Sequence, residues 1–253
     1  MLRVADVAIA YGEKLVVHDV SLTVAAGELV ALVGHNGAGK STLLKAIAGT
    51  LPPRRGQIHF DGVDVTRQGV LDHLNRGVGF SPQGAQVFPT LTVADNLELG
   101  GYTIPVAADV RRQQRRIYDL FPILYERRAA KAAVLSGGER RMLAMGIALM
   151  RAPRLYLLDE PSGGLAPLMV ERLYGLIEQL NQELGMAILL VEDNLRQALS
   201  VARRVYVMSG GRITFEGAPA ILQDETALRA ALARGPIDRP TSSEAGQELP
   251  RPR

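Results

Sequence analysis

The sequence predicts an α/β fold: a mainly parallel sheet with helices between its strands, an antiparallel β subdomain at the N-terminus, and a helical subdomain inserted into the core. Three observations point there. Short apolar runs at 28–33, 154–158, 186–191 and 205–208 read as buried parallel strands. The last three alternate with stretches of helical period at 139–150, 168–184 and 194–202, which requires crossover connections. A long stretch from Thr92 to Ala133 carries helical character with no strand run inside it.

The elements follow in order. The first thirty residues alternate apolar and polar, with Val20, Leu22 and Val24 set against His18, Ser21 and Thr23, as in an antiparallel hairpin. The Ala25-Ala26-Gly27-Glu28 turn feeds the strand at 28–33. Residues 41–48 then read as a helix, with Leu43, Leu44, Ile47 and Ala48 at helical spacing and Gly49 as a breaker. Pro52-Pro53 ends that unit, and 57–62 reads as a further strand closing on an Asp61-Gly62 turn. Within the inserted subdomain, placed at about 84–135, helices are expected at 93–99 and 110–124, separated by Gly100-Gly101 and Pro105. The folded domain is expected to span 1–233. The tail at 234–253 holds Pro236, Pro240, Pro250 and Pro252 among polar residues and is expected to be disordered.

With 253 residues, 47% of them hydrophobic, the chain can bury a full core, which argues against a disordered protein. No run approaches the roughly 20 apolar residues of a membrane-spanning helix, and the first residues do not fit a signal peptide, so a cytosolic chain is expected. The absence of cysteine excludes disulfides and thiolate metal sites. The net charge of +3 is small. The one basic run, Arg111-Arg112-Gln113-Gln114-Arg115-Arg116, reads as a solvated helical face, or as a contact for acidic lipid headgroups or a partner subunit. Without aromatic interleaving it does not suggest nucleic acid.

The chemistry begins at Gly34-x-x-x-x-Gly39-Lys40-Ser41, the P-loop consensus, set between a strand and a helix as a phosphate cradle requires. Backbone amides of Asn36, Gly37, Ala38, Gly39, Lys40, Ser41 and Thr42 would wrap a triphosphate, with the Lys40 ammonium on the outer phosphates. The core is therefore expected to be that of a P-loop NTPase. Such a site needs an acidic residue at the end of a second apolar strand to hold Mg²⁺ with the loop hydroxyl of Ser41. Leu155-Tyr156-Leu157-Leu158-Asp159 supplies it, and Glu160 follows where a carboxylate can polarise an attacking water. A third segment, Leu135-Ser136-Gly137-Gly138-Glu139, opens a helix. It fits a capping box, and its two glycines also suit close approach of backbone to a ligand.

GHNGAGKS, LSGGE and LYLLDE in this order resemble the ATP-binding-cassette family over nearly the whole chain to about residue 233. The resemblance implies that Tyr11 stacks on adenine and that Gln83, in Ser81-Pro82-Gln83, touches Mg²⁺ and links the core to the helical lobe. Two positions depart from the family pattern. Ala166 stands in Ser162-Gly163-Gly164-Leu165-Ala166-Pro167 where an aspartate is usual, and Asp193 in Val191-Glu192-Asp193-Asn194 replaces the histidine that usually contacts the γ-phosphate. Together with Leu91-Thr92-Val93-Ala94-Asp95-Asn96-Leu97, these forms resemble the ATP-binding subunits of branched-chain amino-acid importers and their urea and amide relatives.

The family likeness implies a machine of several chains. ATP on one cradle is closed over by Ser136, Gly137 and Gly138 of a second cassette, either the same chain or a sister subunit. Lys40 and Glu160 are implied as catalytic groups, Asp193 as the switch residue in the γ-phosphate position, and Ser41, Gln83 and Asp159 as the Mg²⁺ set. The partners implied are integral membrane permease subunits, contacted near 83–101, and indirectly a substrate-binding protein, with this chain peripheral on the inner face of the cell membrane. Two other readings stay open: the ATPase of a lipid or lipopolysaccharide exporter, and a non-transport cassette acting on ribosomes or DNA. The second fits poorly with a single cassette lacking sustained heptads.

Overall fold

The computed structural model describes residues 1–233; the expectation of a disordered tail at 234–253 lies outside the described residues. Two sheets carry the fold. A four-stranded antiparallel sheet runs in the order β2-β1-β4-β5, from β1 (Leu2–Tyr11), β2 (Lys14–Val24), β4 (Arg55–Phe60) and β5 (Val63–Asp64). A six-stranded sheet runs β10-β9-β3-β8-β7-β6, from β3 (Leu29–Val33), β6 (Val78–Ser81), β7 (Leu155–Asp159), β8 (Ala187–Glu192), β9 (Arg204–Ser209) and β10 (Arg212–Gly217). Its pairs are parallel except β9–β10, which is a hairpin. The helices are α1 (Lys40–Ile47), α2 (Val70–Asn75), α3 (Val93–Gly100), α4 (Ala107–Leu120), α5 (Pro122–Glu126), α6 (Gly137–Leu149), α7 (Pro167–Gln182), α8 (Leu195–Val201) and α9 (Glu225–Ala233).

Strands β3, β7 and β8 are buried from end to end, because helices or the second sheet cover both faces. Alternation within each strand then divides the core. Leu155, Leu157, Ala187, Leu189 and Val191 pack with α1 and the antiparallel sheet. Tyr156, Leu158, Ile188 and Leu190 face α6, α7 and the helices at 93–126. The inserted helices thus share one apolar core with the parallel sheet.

The structure corrects one expected element and supplies several. The single helix expected at 110–124 is two. Pro122 lacks an amide hydrogen, Phe121 before it sits at φ −130, ψ 75, and α4 stops while α5 starts on the proline. The sequence reading gave no account of β6, α2, β10 or α9. Strand β6 is only four residues long and carries Gly79, so its period was unreadable. Its place beside β7 comes from pairing across the chain, with Ser81 opposite Leu158.

The sheet order positions the site. Because β3, β8, β7 and β6 run parallel, their C-terminal ends lie along one edge, with Val33 opposite Glu192, Asp159 opposite Val191, and Ser81 opposite Leu158. In open α/β sheets that edge is where ligands bind.

Candidate functional site

The loop leaving β3 is shaped by glycines at positions where a side chain would clash or strain the backbone. A Cβ on Gly34 would lie 2.1 Å from the Met208 carbonyl oxygen of β9, and Gly39, the N-cap of α1, sits at φ 102 against Met208 and Val16. Gly37 adopts φ 82. The first bond accepted within α1 runs from the Leu43 amide to Gly39 O at 2.9 Å, so the amides of Lys40, Ser41 and Thr42 have no intrahelical acceptor. No acidic side chain occupies that first turn, and such a helix start favours an anion. Asn36 and Gly37 are exposed at the loop tip, while Ala38 is buried and pinned by its amide to His35 O.

Lys40 is 3% exposed. Its Nζ donates to Gly34 O at 2.7 Å and His35 O at 3.3 Å, and stands 3.8 Å from Glu160 Oε1. Ser41 Oγ donates to Asp159 Oδ1 at 2.8 Å across 118 residues of sequence. Gln83 Nε2 donates to Glu160 Oε2 at 2.6 Å. Five expected site residues, Lys40, Ser41, Gln83, Asp159 and Glu160, therefore form one connected group at the C-terminal edge of β3, β7 and β6.

Glu160 adopts φ 46, left-handed for a non-glycine residue, and its amide bonds Val191 O at 2.9 Å. Backbone strain at a site of this kind persists only where the surroundings hold it. Burial raises the Glu160 pKa above the ordinary carboxylate value; the Asp193 and Asp159 charges add to the rise, while Lys40 and the Gln83 bond oppose it. Asp159 is raised likewise by burial, against the Ser41 bond and the Lys45 and Lys40 charges. Asp193 is exposed, one residue beyond the end of β8, near enough for its charge to act on Glu160.

The residues fit the groups the sequence implied. A loop closed to a Cβ at Gly34 and Gly39, a run of helix-start amides without intrahelical acceptors and a buried ammonium suit a polyphosphate. Ser41 Oγ and Asp159 Oδ1, hard oxygen donors 2.8 Å apart, suit Mg²⁺, which takes one or two carboxylates and completes its shell with phosphate and water. Among the described residues no group of three His, Cys, Asp or Glu forms an all-protein cage. With Nε2 of Gln83 committed to Glu160, its Oε1 is the atom able to face a cation.

The remaining expected residues lie apart from this group. Tyr11 ends β1 opposite Lys14 and is 47% exposed. Ser136 caps α6: its Oγ accepts from the Glu139 amide at 3.2 Å, and its own amide donates to Glu139 Oε2 at 2.7 Å. That amide is the main reason the Glu139 pKa lies below the ordinary value. Gly137 has open space where a side chain would be, and Gly138 lies close against Met169 of α7. The segment borders a cavity of about 580 Å³ with Met142, Leu165 and Met169, and it bonds to none of Lys40, Ser41, Asp159 or Glu160. Cradle and serine–diglycine cap are thus separate surfaces of one chain.

Sequence reasoning missed Glu192, Tyr174 and Arg141. Glu192 ends the apolar run of β8 yet is 0% exposed, accepting from the Ser162 amide at 3.1 Å. Arg141 Nη2 donates to Gly163 O at 2.9 Å. A carboxylate continuing a buried strand was the only available signal.

A family profile described as ABC transporter matches residues 17–163. The high-affinity branched-chain amino acid transport ATP-binding protein BraG of Pseudomonas aeruginosa is 41% identical over 235 residues, covering 93% of this chain and 100% of that protein. The lipopolysaccharide export system ATP-binding protein LptB of Escherichia coli K12 is 37% identical over 236 residues, covering 91% of this chain and 96% of that protein. The dimeric ATP-binding cassette MJ0796, solved in a post-hydrolysis state bound to ADP and Pi, superposes with a TM-score of 0.77 at 26% identity, covering 87% of this chain and 99% of that one.

Proposed function

The chain belongs to the ABC transporter family, and from that membership we propose that it is the ATP-hydrolysing motor subunit of a membrane transporter, importing branched-chain or related amino acids. The observation that carries the reading is the convergence at one sheet edge of two bonded sets, Lys40 and Gln83 on Glu160, and Ser41 on the adjacent Asp159.

Each residue has a distinct task. The amides at the start of α1 and the Lys40 ammonium bind the β- and γ-phosphates and offset the charge that develops as the terminal phosphoryl group is transferred. Ser41 and Asp159, with Gln83 Oε1, would hold Mg²⁺, which when bound neutralises phosphate charge. Glu160, steered by Gln83, orients and polarises the water that attacks γ-phosphorus as the bond to ADP breaks. Tyr11 would stack on the adenine ring. Asp193 takes the switch position with a carboxylate in place of an imidazole, so it acts on the attacking water or on Glu160 and not as a cationic contact to phosphate.

Ser136, Gly137 and Gly138 share no hydrogen bond or ion pair with their own cradle, which fits a dimer in which each caps the partner's nucleotide, whether the second cassette is a copy of this chain or a sister subunit. Binding two nucleotides then shifts the open–closed equilibrium, and hydrolysis resets it. Among the described residues no helix is long and apolar enough to cross a membrane, so the motion passes to separate permease subunits, with this chain peripheral on the inner membrane face and a substrate-binding protein delivering solute. Exposed Phe88, Leu99 and Tyr102, in and beside 83–101, form the apolar surface for that contact.

The amino-acid assignment follows the 41% likeness to the Pseudomonas aeruginosa protein. A second reading, lipopolysaccharide or lipid export, follows the 37% likeness to the Escherichia coli protein. Stimulation of ATPase activity in proteoliposomes by a leucine-loaded binding protein, against stimulation by lipopolysaccharide, separates them. The motor itself is tested with Glu160→Gln. Hydrolysis should fall by about 10²–10⁴-fold while ATP binding persists and a nucleotide-bound dimer accumulates on size exclusion. Hydrolysis at the parent rate removes Glu160 from the reaction.

A further inference from the structure

Glu192 raises a question the hydrolytic group does not answer. It is fully buried, yet a carboxylate is the costliest group to place at the end of an apolar strand unless its oxygens are satisfied. Among the described residues only Oε1 has a bonded partner, the Ser162 amide at 3.1 Å; Oε2 is buried without one.

Two further orphaned groups lie around it. Tyr174 Oη of α7 is buried beside the Glu192 carboxylate and the Ser162 hydroxyl without hydrogen-bond geometry to either. Arg141 Nε of α6 is buried and unpartnered too, with the Glu192 charge acting on its guanidinium. An acceptor and two donors from three elements are thus gathered around the end of β8. Arg141 is already tied to the same loop through Gly163 O at 2.9 Å.

These ties span the segments the reaction needs. Ser162 and Gly163 lie two and three residues beyond Glu160. Arg141 lies on the helix that Ser136 caps. Asp193 follows Glu192 directly. We infer that Glu192 is a positioning residue: its buried side chain clamps the 162–163 loop to the end of β8, so that Glu160, Asp193 and the Ser136 end of α6 are held in one register. The inference rests on the ATPase reading above and assigns Glu192 no contact with substrate. Burial drives the Glu192 pKa upward, against the Ser162 bond. What the loop uses in this geometry is the acceptor oxygen that meets the Ser162 amide at 3.1 Å.

The test compares two near-isosteric variants in the full chain. Glu192→Asp keeps the charge but withdraws the oxygens by one methylene; kcat for Mg·ATP hydrolysis should drop about ten-fold with KM for ATP changed less than about two-fold. Glu192→Gln restores the acceptor and should recover to within about three-fold of the parent kcat. A purely structural residue would show parallel losses tracking thermal stability. Equal kcat in the two variants, or a loss confined to KM, overturns the clamp. Amide exchange in the parent needs no variant: the Ser162 amide should be protected like those of β8, and exchange at the rate of an open loop overturns the inference equally. The ATPase reading is judged separately, on parent hydrolysis and its loss in Glu160→Gln.

Discussion

Replacing Lys40 by methionine isolates the cradle's charge from its shape. Methionine keeps most of the buried stem, so the packing of α1 is preserved. What disappears is an ammonium 3% exposed that donates to two loop carbonyls and faces Glu160 at 3.8 Å. In the nucleotide complex that ammonium can make two charge-assisted hydrogen bonds to phosphate oxygens, each contributing about 1.5–3 kcal/mol. Their loss is about 3–6 kcal/mol, and at about 1.4 kcal/mol per decade the dissociation constant for Mg·ATP should rise by roughly 10²–10⁴-fold. The fold should suffer much less, since Glu160 keeps its bond from Gln83 when its counter-charge goes. Titration calorimetry with Mg·ATP, beside a thermal melt to establish that the variant is folded, reads both quantities. A folded Lys40→Met protein that binds ATP within a few-fold of the parent would refute the assignment of this loop as the phosphate cradle.

Gly34→Ala should cost about 1–3 kcal/mol by overpacking, because its Cβ meets the Met208 carbonyl at 2.1 Å; an unchanged denaturation midpoint with intact ATP binding contradicts that. Ser136→Arg and Lys40→Met subunits, each in the Glu160→Gln background and each unable to dimerise on ATP alone, should form ATP-dependent dimers when mixed. One complete composite site is then restored, and no dimer in the mixture counts against partner-supplied capping. Hydrolysis measured as kcat/KM should fall on acidification through a pKa above the ordinary glutamate value of about 4.3, because Glu160 must be ionised and burial raises it. Asp193→Asn removes one of the charges that raise it, so that inflection should move to lower pH, a displacement in which the titration of ATP itself cancels. An inflection that stays in place, or moves upward, excludes Asp193 as a neighbour of Glu160.

Local chemistry was legible because it is written in neighbouring residues. A glycine-rich turn between an apolar strand and a helix, a carboxylate pair at a strand exit and a serine capping a helix each depend on a handful of consecutive positions, and all stand in the structure where their spacing placed them. The helix at 110–124 failed for the opposite reason. Its apolar period runs through Pro122, but the proline's missing donor and the conformation it imposes on Phe121 outweigh that period.

The sequence by itself determined the kinds of group present: loop amides at a helix start, a lysine, a hydroxyl, acids at strand ends, and no cysteine. Only the tertiary structure decided which of them meet. The order β3-β8-β7-β6 sets Ser41 against Asp159 and Gln83 against Glu160, and Glu192 at the end of β8 is sealed beneath the surface. Periodicity and turn preference act over a few residues. Strand neighbours, burial and the pKa shifts that follow from it are fixed by contacts between segments tens to more than a hundred residues apart, which no local pattern encodes.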